Sequence, residues 1–138
     1  MPVPTGVYVY KDASVEIATV EYANQCTRAV LIPTTPIQSV RTLVPDGQVQ
    51  DVDSPMWVFG VSALQKNDTG GLALALRTAD PGDILAVELV PKAGATMPNA
   101  TFNIIAMPVQ FGGEQGKFLD FEEAFAVVGQ PVFGTTGA

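Results

Sequence analysis

The sequence predicts a mainly β domain, an antiparallel β-sandwich or barrel with one short flanking α-helix. Three observations point there. Apolar and polar residues alternate in several short runs, the period of two that a pleated strand imposes. Thirteen glycines and eleven prolines fall mostly between those runs, where turns belong. Only one stretch has the composition of a helix.

The runs come in order. In residues 14–22, Val15 and Ile17 alternate with Ser14 and Glu16, which reads as a strand. Residues 27–32 are apolar apart from Thr27 and Arg28, and Pro33 ends that run. Residues 37–43 set Gln38 and Thr42 among Ile37, Val40 and Leu43. Next comes VPDGQVQDVDSP, residues 44–55, which reads as a loop longer than a hairpin needs. Loops of that length without structure of their own are usually functional.

The pattern is clearer downstream. Met56–Leu64 puts Trp57, Phe59, Val61 and Ala63 on one face, with Met56, Val58, Gly60 and Ser62 on the other. Residues 70–79, GGLALALRTA, alternate like a strand but consist of strong helix formers. Asp68 or Thr69 supplies a cap, Pro81–Gly82 a stop, so a helix is expected over 70–79. Residues 83–90 point Leu85, Val87 and Leu89 one way and Glu88 the other. Residues 101–109 group Phe102, Ile104 and Ala106, and QFGGEQGKF (110–118) reads as a hairpin turn with positive φ at its glycines. Residues 118–128 set Leu119, Phe121, Phe125 and Val127 against Asp120, Glu122 and Ala124. With no internal repeat, residues 1–138 form one domain, with an N-terminal arm over 1–12 and a C-terminal tail over 129–138.

Composition narrows the function. Seven Lys and Arg against fourteen Asp and Glu give a net charge of -7, the wrong sign for gripping phosphates. The chain has no histidine, which removes His-based triads, His-ligated zinc and the usual acid–base group near neutrality. Its single cysteine, Cys26, forms neither an internal disulfide nor a zinc site alone. It reads as a small buried hydrophobe in a chain made in a reducing compartment. Charged residues are 15 % and hydrophobic ones 47 %, dry beside the average of about 25 % charged. No run reaches the roughly 18 apolar residues of a membrane span, and the N-terminus lacks the pattern of a secretory signal.

The residues that invite chemistry have plainer readings. On a strand, Asp120 and Glu122 share a face with Cβ atoms about 7 Å apart. That suits a carboxylate pair, but no polar cluster surrounds it, and a solvated acidic face is the better reading. Asp46, Asp51 and Asp53 lack the spacing and terminal Glu of a calcium loop. Gly116–Lys117 is followed by Phe118 where a phosphate loop needs Ser or Thr. The Asn-x-Thr triplets at Asn67 and Asn99 read as polar turns. No catalytic residue, cofactor or metal is expected, and the chain is not read as an enzyme.

Three segments together carry a resemblance. They are TLVPDGQVQDVDSPMWVF, the Gly-Leu-rich helix with its Pro-Gly stop, and the C-terminal series of a Pro-Val strand end, FGGEQG, an acidic–apolar strand and VVGQPVF. In order and flavour, over residues 14–133, they resemble the major tail tube proteins of long, non-contractile-tailed bacteriophages. That fold is similar to the tube subunits of contractile tails and type VI secretion.

The resemblance implies a β-sandwich whose copies join edge to edge into hexameric rings. The rings stack into a hollow tube that conducts DNA without binding it specifically, around a tape-measure protein and between tail-tip and terminator proteins. It places the protein in the virion tail, assembled in the host cytoplasm. An acidic wall would repel the duplex and keep it mobile. Asp120, Glu122 and Glu88 are the candidate lumen-lining residues, and the segment holding Asp46, Gly47, Asp51 and Asp53 is the candidate inter-ring loop. A second reading is a monomeric β-sandwich of a virion that binds a receptor or carbohydrate or decorates the capsid. Against it stands Trp57, the one tryptophan, in an apolar strand.

Overall fold

The computed structural model describes residues 6, 7 and 9–137. The elements in chain order are β1 (Ser14–Ile17), β2 (Val20–Glu21), β3 (Cys26–Thr34), β4 (Ile37–Arg41), β5 (Gln48–Val52) and β6 (Met56–Leu64). After them come α1 (Leu72–Thr78), β7 (Ile84–Val90), β8 (Pro98–Ile105) and β9 (Asp120–Thr135). The architecture is mainly β and antiparallel, consistent with a sandwich, as the alternating runs imply.

Strands run in the order β2-β1-β7-β8-β9-β6-β3, with β4-β5 as a separate ribbon. The long strand β9 serves both layers. Its residues 120–126 pair with β6, and 127–135 pair with β8. Within the β8 pairing the register slips, as Thr101 faces Val132 while Asn103 faces Val128, and Gly129 takes φ +72°, a left-handed value suited to a bulge. The inward faces meet in one core. Val15, Ile17, Val87, Leu89 and Ile104 come from one layer, Val61, Ala63, Phe121 and Phe125 from the other. Phe59 meets Phe102 across them edge to face, with ring centroids 5.0 Å apart. Such a pair adds about 0.5–1.5 kcal/mol to its burial. Leu72, Ala73 and Leu76 bring the apolar side of α1 into the same core.

Several boundaries differ from the sequence reading. Residues 14–22 are a hairpin rather than one strand, because Ala18 and Thr19 both have positive φ (52° and 68°) and turn the chain between Ile17 and Val20. Pro33 does not end β3, which runs to Thr34. It lies in the outermost strand of the sheet, where a missing N–H is tolerated. Residues 44–55 are no structureless loop, since Gln48–Val52 pairs with Ile37–Arg41. β8 spans Pro98–Ile105 instead of 101–109, so the Asn99 triplet lies in a strand rather than a turn. The expected tail over 129–138 is strand as far as Thr135.

The helix is shorter than 70–79 and neither Asp68 nor Thr69 caps it. Gly71 is the N-cap, without a side-chain hydrogen bond. The Leu72 N–H donates to Gln25 Oε1 at 2.9 Å, while Gln25 Nε2 donates to the Gly70 carbonyl at 2.9 Å. Residues 1–5 and 8 of the expected arm lie outside the described residues. Within the arm, Tyr10 donates its hydroxyl to the Ala29 carbonyl and Asp12 bridges to Lys92.

Candidate functional site

The two sets of candidate acidic residues are on different layers. Asp120 and Glu122 point outward from β9, on the face opposite Phe121 and Phe125. In register, Arg28 of β3 lies opposite Ser62 of β6, which lies opposite Glu122. The Arg28 guanidinium spans that row and reaches the Glu122 carboxylate at 3.8 Å. Gly60 makes the crossing possible, because a Cβ there would come within 2.9 Å of Arg28 Nη1. Both partners are exposed, so the pair contributes between about 0 and 1 kcal/mol. Sequence reasoning missed Arg28 as the partner of this face. The signal was present, an outward-facing cation two strands from an outward-facing carboxylate, but only the register brings them together.

Glu88 belongs to the other layer. The register places Glu21, Glu16, Glu88 and Thr101 in one row across β2, β1, β7 and β8. Glu16 and Glu88 are direct cross-strand neighbours, an arrangement of like charges that opposes folding. Glu21 is held apart from them, accepting hydrogen bonds from Ser14 Oγ at 2.5 Å, Val15 N at 2.8 Å and Ala23 N at 3.0 Å. Among the described residues no ion pair reaches Glu16 or Glu88. The row of Glu88 continues through Thr101 to Val132 of β9, ten residues along that strand from Glu122, so the register does not bring Glu88 beside Asp120 and Glu122.

The segment holding Asp46, Gly47, Asp51 and Asp53 forms the β4–β5 ribbon, in which Val40 pairs with Val49 and Ile37 with Val52. At its tip the Gly47 N–H donates to the Val44 carbonyl at 3.0 Å, with Pro45 second and Asp46 third at φ +59°. That is a type II pattern. A Cβ on Gly47 would sit 1.8 Å from Thr42 Oγ1 and 2.7 Å from Val44 Cγ2, so a larger residue there would displace both side chains. Both strands are exposed along their whole length, Leu43 at the tip fully so. Among the described residues, the hydrogen bonds of the ribbon stay within it. A lone two-stranded hairpin is marginal in water, and this one displays Ile37, Val40, Leu43, Val44, Val49 and Val52.

A second buried glutamine holds the connection between β8 and β9. Gln65 Nε2 donates to the Gly112 carbonyl at 3.0 Å and the Asp120 carbonyl at 2.5 Å, and Gly112 N donates to Gln65 Oε1 at 3.1 Å. This links the long 106–119 connection to the end of β6. Two of its glycines have positive φ as expected, Gly112 at 98° and Gly116 at 83°. Cys26 is half-buried at the start of β3, and burial, aided by the Glu21 charge, pushes its thiol up to about 11. Among the described residues no three metal-binding side chains come together and no helix is long and apolar enough to cross a membrane. No model of a known protein family matches the chain, and neither does any curated protein.

Proposed function

We propose that this chain is the structural subunit of a bacteriophage tail tube. Six copies form a ring, and stacked rings make a hollow conduit through which DNA passes without specific binding. The partners are further copies of the chain together with tape-measure, tail-tip and terminator proteins, in the tail of the virion after assembly in the host cytoplasm.

The observation that carries this reading is the β4–β5 ribbon. A ribbon of five-residue strands reaches about 17 Å and shows six large aliphatic side chains to water. Each is worth roughly 1.5–3 kcal/mol when fully buried. Such a ribbon is a poor feature for a monomer and a useful one for a polymer. Among the described residues the sheet also ends in two unpaired edges, β2 and β3, which closure of copies into a ring would pair.

An acidic outward layer supplies the wall of the conduit, since fixed carboxylates repel phosphates and leave the duplex mobile along the axis. Asp120 with Glu122 is the lining proposed, about a dozen carboxylates per ring of six, and the face of Glu88, with its neighbour Glu16, is the alternative. Negative-stain electron microscopy of the concentrated protein tests the proposal. Rings or tubes with a central hole are expected, and discrete solid particles at every concentration would overturn it.

A further inference from the structure

One charge interrupts the inward face of β9. Phe121, Phe125 and Val127 enter the core, yet Glu123 stands between the two phenylalanines on the same face, part-buried. The register sets it opposite Val61 of β6, which is fully buried. Among the described residues no ion pair reaches its carboxylate, which folds back to accept the Ala124 N–H at 3.3 Å. A part-buried charge without a cationic partner opposes folding, and a β-branched apolar residue would suit this position better.

The charge stands at an open edge. Each half of β9 has a single partner strand, β6 for residues 120–126 and β8 for 127–135. Among the described residues, each half therefore leaves its other edge unpaired. The second half is blunted by the bulge at Gly129 and by Pro131, which has no N–H to offer. The first half, DFEEAFA, has neither glycine nor proline. Directly after Glu123 comes AFAVV (124–128), an apolar window without charge or proline, the composition that stacks strand on strand between chains.

We infer that Glu123 keeps the open edge of residues 120–126 from taking up a strand of another chain. A strand added there would extend the β6–β9 layer and close off its inward face, shutting the carboxylate away from water with no cation to meet it. In the lone domain the same carboxylate still reaches water at the open side. Glu122, one residue away, faces outward with its side chain 76 % exposed. It stays in water whether or not a strand is added, so it cannot serve as the block. The role of Glu123 is independent of the tube reading, whose ring contacts use the edges at β2 and β3.

Three variants test this at a dilution where the wild type sediments as a monomer. Glu123→Val should fold, by circular dichroism, with a urea midpoint no lower than that of the wild type. On standing it should nevertheless lose solubility, pelleting with a rise in thioflavin T fluorescence. Glu123→Lys puts back a charge of the opposite sign and should stay in solution. Glu122→Val makes the same change of composition and net charge on the outward face and should also stay in solution. In the wild-type monomer, amide hydrogen exchange should be fast at alternate residues between 121 and 126, those whose N–H groups face away from β6.

A folded Glu123→Val protein that stays as soluble as the wild type overturns the inference. So does Glu122→Val pelleting to the same extent, which would make net charge the cause, and so does a folded Glu123→Lys protein that pellets. Uniform protection of residues 121–126 in the wild-type monomer also overturns it, and that measurement decides the matter should the valine variant fail to fold. Variants that behave as expected, with no hollow particles from the concentrated wild type, would retain the block at Glu123 and remove the tube.

Discussion

Replacing Gln65 by leucine keeps the volume of a buried side chain and removes its amide. Three hydrogen bonds vanish, to Gly112 O, Asp120 O and Gly112 N, each worth about 1 kcal/mol net. Backbone groups left unpaired away from water add to that, so a loss of about 2–4 kcal/mol is expected. Unfolding entropy near 2.1 cal/mol/K per residue over 138 residues converts 3 kcal/mol into a melting point lower by about 10 °C. Urea titration followed by Trp57 fluorescence and far-ultraviolet circular dichroism measures the change, with an unaltered slope if the transition stays two-state. Trypsin should also cut faster at Lys117, in the connection that Gln65 tethers. Gln110→Ala is the control, since its single contact to Asp120 O is 3.3 Å long and exposed. A Gln65→Leu protein within about 0.5 kcal/mol of the wild type, with unchanged cleavage at Lys117, would refute the clamp.

Three further outcomes are expected. With its thiol pushed up to about 11, native Cys26 should react with iodoacetamide at pH 8 about 100-fold more slowly than in urea, because the thiolate is the nucleophile. The folded state then keeps a proton that the unfolded state releases, so stability holds below about pH 9 and falls between about 9 and 11. Cys26→Ala should flatten that slope, leaving the smaller contribution of Tyr10 and Tyr22, which burial also raises. Replacing Asp120 and Glu122 together by lysine should leave tubes that assemble, retain DNA at low salt and release it at high salt, since each new cation adds a counterion-releasing contact. Failure to assemble would place these carboxylates in a subunit interface. Assembly without DNA retention would put them on the outside and leave Glu16 and Glu88 as the acidic wall.

Strands that bury one face were legible because burial imposes alternation. Met56–Leu64 and the inward Val87 and Leu89 of β7 lie as the pattern implies. β5 was invisible for the converse reason, since QVQDV buries nothing and carries no period-two signal. The turn at Ala18–Thr19 was missed because neither residue is the Asn or Gly that such a turn usually takes. Gly129, Pro131 and Gly134 disguised the second half of β9, although Gly129 is what lets the strand bulge and continue. The helix start was unreadable locally, because its hydrogen-bond acceptor is 47 residues away. Charges were legible as outward-facing, yet which layer each faced depended on strand order. That is why Glu88 separates from Asp120 and Glu122, and why Arg28 went unnoticed.

The sharing of β9 between the layers has a consequence for biosynthesis. The strand follows every other element in chain order, so during translation, at about 5–20 residues per second, the layers exist before the piece that joins them. A nascent chain stopped at residue 119 holds β6 and β8 with one edge each unpaired and a core without Phe121 and Phe125. Sheet closure therefore waits for emergence of the ninth strand. Truncations within it should behave as whole-domain folding defects, even those that remove only a few residues from the end paired with β8.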